Sequence, residues 1–183
     1  MSRHCSGSCR LIPLFMFALS CIASAVLLFW PLATKAQGQP STAPRPVTSV
    51  FFDVGGTLGE VSENPGDKEL SLHLYSDTRE LLKTLKLLGL RLGVISNVPA
   101  DMTASSLAKI LKDAGIYEFF EPELVVASSD VKASKPAPQI YKAAASRAKI
   151  PIGSCLYIGE DLAEVIGAQA AGMRSQLKPR PQR

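Results

Sequence analysis

Cysteine is scarce in this chain. Four occur in 183 residues, and three of them, Cys5, Cys9 and Cys21, lie near the N-terminus. Cys155 is left alone in the remainder, which excludes an intradomain disulfide and a disulfide-stapled miniprotein. It sits in the apolar, strand-like run Cys155 to Ile158, where a thiol reads as buried and inert. Internal repeats are lacking as well: no period of about 20 to 50 residues recurs, which excludes a solenoid or array. Charge is missing altogether from Leu11 to Ala33, a run long enough to cross a bilayer core of about 30 Å as a helix. Arg3 and Arg10 precede it and Lys35 follows. The run therefore reads either as an uncleaved membrane anchor or as a cleaved signal peptide, and the rest of the chain is expected to be membrane-anchored or exported, periplasmic or extracytoplasmic. What the composition does hold, 46% hydrophobic and 20% charged residues, excludes wholesale disorder.

The net charge of +4 suggests a nucleic-acid surface until the charges are located. Seven cations, Arg3, Arg10, Lys35, Arg45, Lys178, Arg180 and Arg183, lie outside the stretch from Val47 to Leu177, leaving 13 basic residues against 16 acidic ones inside it. The domain charge is then −3, and a nucleic-acid partner is not expected. Residues 37–46, QGQPSTAPRP, read as a Pro-rich extended linker. The expected organisation is a signal or anchor segment over 1–36, the linker over 37–46, one domain over 47–177 and a frayed basic tail over 178–183.

Within the domain, strand-like and helix-like stretches alternate. Val47 to Phe52 is a β-branched and aromatic run that ends in Asp53 and then Gly55-Gly56, the pattern of a buried strand feeding a tight turn. Ser76 or Asp77 can cap a helix carrying Leu81, Leu82, Leu85 and Leu88, closed by Gly89. A strand is expected over Arg91 to Ser96, and then a helix capped by Asp101 with Met102, Leu107, Ile110 and Leu111 on one face, ending near Gly115. Leu124 to Ala127 reads as a short strand, Pro136 to Lys149 as helix, Cys155 to Ile158 as a fourth strand and Asp161 to Ala171 as a last helix before Gly172. Such alternation predicts an α/β, Rossmann-like three-layer sandwich with a parallel sheet, whose ligands bind at the C-terminal ends of the strands.

The polar residues at those ends are Asp53, Ser96 with Asn97, Lys135, and Glu160 with Asp161. Together they suit a phosphoryl group. Asp53 can attack phosphorus, Mg²⁺ held by hard oxygens can neutralise charge, and Ser96 with the Gly55 and Gly56 amides can hold phosphoryl oxygens. Lys135 can screen the carboxylates from each other and from the phosphate. Structural roles compete at several positions: Ser96 as a loop cap, Lys135 as a solvated helix start, Glu160 and Asp161 as helix-capping acids.

The same residues resemble the haloacid dehalogenase-like hydrolase superfamily. Phe51-Phe52-Asp53-Val54-Gly55-Gly56-Thr57-Leu58 is similar to its first motif, Val94-Ile95-Ser96-Asn97 to the second, Ser134-Lys135-Pro136-Ala137-Pro138 to the third, and Tyr157-Ile158-Gly159-Glu160-Asp161 through Gly172-Met173 to the fourth. Four motifs in order along the whole domain imply that fold. They also imply catalysis by Asp53 and Lys135, substrate binding by Gly56, Thr57, Ser96, Asn97 and Lys135, and a Mg²⁺ site formed by Asp53, the Gly55 carbonyl, Glu160 and Asp161. The activity implied is a Mg²⁺-dependent phosphatase working through an aspartyl-phosphate. Two departures stand out. Gly55 occupies the place where phosphatases of this family usually carry a second, general-acid Asp, a loss worth on the order of 10²- to 10⁴-fold in rate unless Glu60 or Asp67 substitutes. In the fourth motif Gly159-Glu160-Asp161 is followed by Glu164 and the spacing to Gly167 is one residue short, leaving open which of Glu160 and Asp161 meets the metal. These departures motivate the alternative of an impaired relative kept as a binding or interaction module. Only about 40 residues separate Asp53 from Ser96, and about as many separate Ser96 from Lys135, too few for the inserted caps of the family. An open crevice then fits a bulky phosphorylated substrate, a partner chain, or a homo-oligomer that supplies the missing wall.

Overall fold

A computed structural model of the chain describes residues 45–66 and 69–179. The apolar run before Asp53 becomes strand β1 (Ser49–Phe52), buried at all four positions. A polar hairpin follows, β2 (Gly59–Glu63) paired antiparallel with β3 (Leu70–Leu74). Then come α1 (Thr78–Leu87), β4 (Arg91–Ser96), α2 (Ala104–Asp113), β5 (Val125–Ala127), the single turn α3 (Ser128–Val131), α4 (Pro138–Ala148), β6 (Cys155–Gly159), α5 (Leu162–Ala170) and β7 (Arg174–Leu177). The main sheet runs β5-β4-β1-β6-β7, and each neighbouring pair is parallel.

Side chains alternate across the sheet as strand geometry requires. Phe51, Ile95, Val126 and Tyr157 pack to one side with Ile140, Tyr141 and Ala144 of α4 and Ala168 of α5. Val50, Phe52, Leu92 and Val94 pack to the other with Leu82 of α1 and Leu107 and Leu111 of α2. Two covered faces make the expected three-layer sandwich. Complete burial of Phe51 and Phe52 contributes about 2 kcal/mol each, which fixes the register of the strand that delivers Asp53.

Several expectations are corrected. β1 starts at Ser49 rather than Val47. The cap of α2 is Thr103, not Asp101: the Met102 amide first closes a turn onto the Pro99 carbonyl at 3.0 Å, so the helix begins only after the extended Thr103. The β2–β3 hairpin and β7 were not expected. Four of the five β2 residues are exposed and β7 is an edge strand of mixed polarity, so neither carries the apolar signature of a buried strand. Lys178 belongs to the fold rather than to a tail, since its amide donates to the Gly159 carbonyl at 2.8 Å. The apolar run Leu11 to Ala33, most of the linker and residues 180–183 lie outside the described residues. Among the described residues no helix is long and apolar enough to cross a membrane.

Candidate active site

Asp53 is the first residue past β1, at the C-terminal edge of the central strand, and its amide still donates to the Ile158 carbonyl of β6 at 2.9 Å. Its side chain is therefore carried by the central strand of the sheet. Lys135 approaches from the loop before α4, with its side chain only 1% exposed. The ammonium donates to Asp53 Oδ1 at 2.5 Å and to the Tyr157 hydroxyl at 3.1 Å, and lies 2.8 Å from Glu164 Oε2. Tyr157 in turn donates to Glu164 Oε2 at 2.7 Å. One buried cation thus balances two carboxylates. Burial pushes the Asp53 carboxyl above the usual aspartate range, the Lys135 charge and hydrogen bond pull it down, and Glu164 pushes it up; burial wins.

The loop that carries Lys135 is clasped from two sides. Asn97 Oδ1 accepts from the Lys135 amide at 2.8 Å and Asn97 Nδ2 donates to the Lys135 carbonyl at 3.1 Å. From the other side α5 comes close at Gly167, where an added Cβ would sit 2.3 Å from the Pro136 carbonyl oxygen. Asn97, read from sequence as a substrate ligand, is therefore first a clasp on the backbone of Lys135. Ser96 lines the crevice beside Asp53, its hydroxyl making only a 3.4 Å contact to the Asn97 carbonyl. Gly56 adopts φ of +72°, which a glycine reaches without strain, and an added Cβ there would lie 2.8 Å from Glu160 Oε1. The Glu160 carboxylate is thus packed against the turn that follows Asp53.

Two further expectations change. Thr57 is fully buried, with its hydroxyl unbonded, so it offers the crevice no side-chain group. Asp161 Oδ1 accepts from the Ala163 and Glu164 amides at 2.7 and 3.2 Å and caps α5, the structural role weighed for it from sequence. Glu60 does not substitute for a general acid. It points to the far face of the hairpin and accepts from the Tyr75 hydroxyl at 2.6 Å, while its neighbour Val61 turns toward the crevice. Asp67 lies outside the described residues. Sequence reasoning noticed Glu164 only as an irregular spacing and passed over Tyr157. The signal for both was periodicity: Glu164 lies one helical turn past the cap of α5, and Tyr157 shares its strand face with Cys155 in alternation.

Among the described residues no group of three or more His, Cys, Asp or Glu side chains could hold a metal ion. Mg²⁺, however, binds through one or two carboxylates and retains waters, so a three-carboxylate cluster is not required. Asp53, the Gly55 carbonyl and Glu160, all hard oxygen donors around one turn, fit that demand. The crevice above them measures about 290 Å³ and is otherwise lined by Val61, Leu70, Val98, Pro99, Met102 and Ile110, from the hairpin, the β4–α2 loop and α2.

The family model for haloacid dehalogenase-like hydrolases matches residues 32–172. A protein named as a phosphatase in Mycobacterium tuberculosis is 35% identical over 107 residues, covering 58% of this chain and 46% of that protein. A phosphoglycolate phosphatase of Colwellia psychrerythraea is 31% identical over 102 residues, covering 56% and 42%. The chain thus spans less than half the length of these curated relatives. Among solved structures, a phosphatase of the same superfamily from Thermococcus onnurineus shares 28% identity at a TM-score of 0.54, covering 61% of this chain and 49% of that one. The match extends over most of the chain, and the motif order agrees with the Asp53–Lys135 pair found at the edge of the central strand: the chain belongs to the haloacid dehalogenase-like hydrolases.

Proposed function

We propose that this hydrolase cleaves phosphoric monoesters, using Mg²⁺ and an aspartyl-phosphate on Asp53. The observation that supports it is the buried Asp53–Lys135 pair at the mouth of the crevice, with the Ser96 hydroxyl beside it. Asp53 attacks phosphorus in line with the leaving oxygen. Lys135 and Ser96 hold the phosphoryl oxygens, and Glu164 with Tyr157 keeps the Lys135 ammonium in place. Mg²⁺, when bound by Asp53, Glu160 and the Gly55 carbonyl, supplies electrophilic neutralisation of the phosphoryl charge. Relatives named as phosphatases point the same way, although what they act on is theirs. Export or anchoring through residues 11–33 remains part of the reading, and fractionation of cells expressing the full chain tests it.

The activity is tested by phosphate release from aryl phosphates by the purified chain, with and without Mg²⁺, against Asp53→Asn. Release that disappears in the variant and in chelator is the expected result. Release that survives in Asp53→Asn removes the mechanism. Halide release from a 2-haloacid, with no phosphate release, would move the chain to carbon–halogen chemistry.

A further inference from the structure

Among the described residues, the side of the crevice away from Lys135 carries no group able to protonate a leaving oxygen. An added Cβ at Gly55 would meet Val61 Cγ2 at 3.5 Å, so the space next to the nucleophile on that side is occupied by an aliphatic side chain of the hairpin. Beyond Val61 the lining runs through Leu70, Pro99, Met102 and Ile110. Among the described residues, the titratable side chains that line the crevice are Asp53, Lys135 and Glu164, and Lys135 is paired with both carboxylates. Glu63, Glu69, Asp101 and Lys109 line the adjoining outer groove of about 410 Å³ instead, and Lys109 is paired there with Glu69 and, across one helical turn, with Asp113.

From this wall we infer the substrate class: a phosphoryl compound with an apolar body whose leaving oxygen is acidic enough to depart as its anion, the chemistry of phenols and carboxylic acids. The inference rests on the proposed phosphohydrolase reading and narrows it. Asp53 Oδ forms a bond to phosphorus while the bond from phosphorus to the leaving oxygen breaks, and that oxygen leaves with the electron pair and no proton. Water then attacks the aspartyl-phosphate, the bond between Asp53 and phosphorus breaks, and both protons of the water leave on dihydrogen phosphate. An alkoxide would need the missing acid, worth on the order of 10²- to 10⁴-fold. A phenolate or carboxylate does not, and the apolar lining desolvates a ring or acyl chain at little cost.

The test is a leaving-group series with the full chain and Mg²⁺: para-nitrophenyl, phenyl and phenethyl phosphate, with benzoyl phosphate to separate an acyl from an aryl preference. The reading is kcat/KM, which reports transfer to Asp53 rather than the later hydrolysis. We expect a fall of about 10²-fold or more from para-nitrophenyl to phenyl phosphate, and phenethyl phosphate close to the Asp53→Asn background. Gly55→Asp adds a Cβ that makes an ordinary van der Waals contact with Val61 Cγ2 at 3.5 Å, and its carboxyl should raise the poor substrates more than the good one. Val61→Asp offers the same group from the hairpin should the first variant fold badly. A flat series in the parent chain overturns the inference and leaves the phosphohydrolase standing. A steep series that neither variant flattens also overturns it. Absence of Asp53-dependent turnover for every member sinks the phosphohydrolase reading itself.

Discussion

Lys135 is a buried charge whose partners are all supplied by other elements. Replacing it with Met leaves Asp53 and Glu164 facing each other across an apolar gap, and removal of one partner from a buried ion pair costs about 3 to 5 kcal/mol. Chemical denaturation of Lys135→Met should show a loss of that size along with loss of activity. Asp53 works in the opposite sense. Its folded-state pKa is raised by burial above the ordinary 3.8, so its contribution to stability is present below that value and lost as pH rises through the folded value. Asp53→Asn is therefore expected to melt higher than the parent at neutral pH in chelator, with the gap closing as pH falls toward the ordinary aspartate range. An Asp53→Asn variant that melts below the parent at neutral pH would show that the pairing with Lys135, not burial, dominates. Cys155 is fully buried and its thiol is pushed up to about 11 by desolvation. Peptide mapping after treatment with a maleimide at neutral pH should find Cys155 unmodified in the native chain and modified only after denaturation.

At the scale of elements, the tight approach of α5 to the loop before α4 is the contact most easily tested. Gly167→Ala would push a methyl group into the Pro136 carbonyl, a backbone atom that cannot step aside as a side chain can. Overpacking of this kind costs about 1 to 3 kcal/mol, and because Lys135 precedes Pro136 the variant should lose kcat beyond what its stability loss explains. A variant that melts lower yet keeps its kcat would show that the clasp by Asn97 alone sets the lysine. Elements were legible from sequence wherever burial is complete. Arg91–Ser96 has the bounds that its run of apolar residues indicates, and α1 follows Asp77 and ends before Gly89 as the capping residues imply. The hairpin was illegible because a flap with one face in solvent and the other over a crevice carries Glu60, Ser62 and Glu63 where a core strand would carry Val or Ile. The candidate site shows the same division. Asp53 and Ser96 stand at strand ends and are readable as such, and Lys135 is readable from its motif in the loop before α4. Periodicity places Glu164 on one face of α5, but its contact with Lys135, 29 positions earlier in the chain, and the turn of Val61 toward the crevice depend on tertiary packing that no local pattern encodes.

At the scale of the whole domain, the last described strand returns the chain to where it began. Lys178 Nζ donates to the Thr57 carbonyl at 3.0 Å, lies 3.5 Å from Asp77 Oδ2 and sits over the Tyr75 ring, with its side chain 17% exposed. The loop after Asp53 is thereby tied to the C-terminal end of the sheet. Lys178→Met should lower stability by about 1 kcal/mol, read as a small shift of the denaturation midpoint. It should also reduce kcat more than it raises KM, because the turn that presents Asp53 loses an anchor while the crevice lining is untouched. An unchanged kcat would mean that the turn is held by the Gly56–Gly59 hydrogen bond and the hairpin alone.

The bond between Lys135 and Asp53 joins residues 82 positions apart, and the one between Lys178 and Thr57 joins residues 121 apart. Neither can form inside a single βαβ unit, and each closes a long loop whose entropy is lost before the contact returns anything. A nascent or half-refolded chain is therefore expected to carry Asp53 without its cation. On the proposed mechanism turnover is expected to be a late event on the folding path, so that an assay of activity during refolding would report completion of the sheet rather than collapse of its first strands.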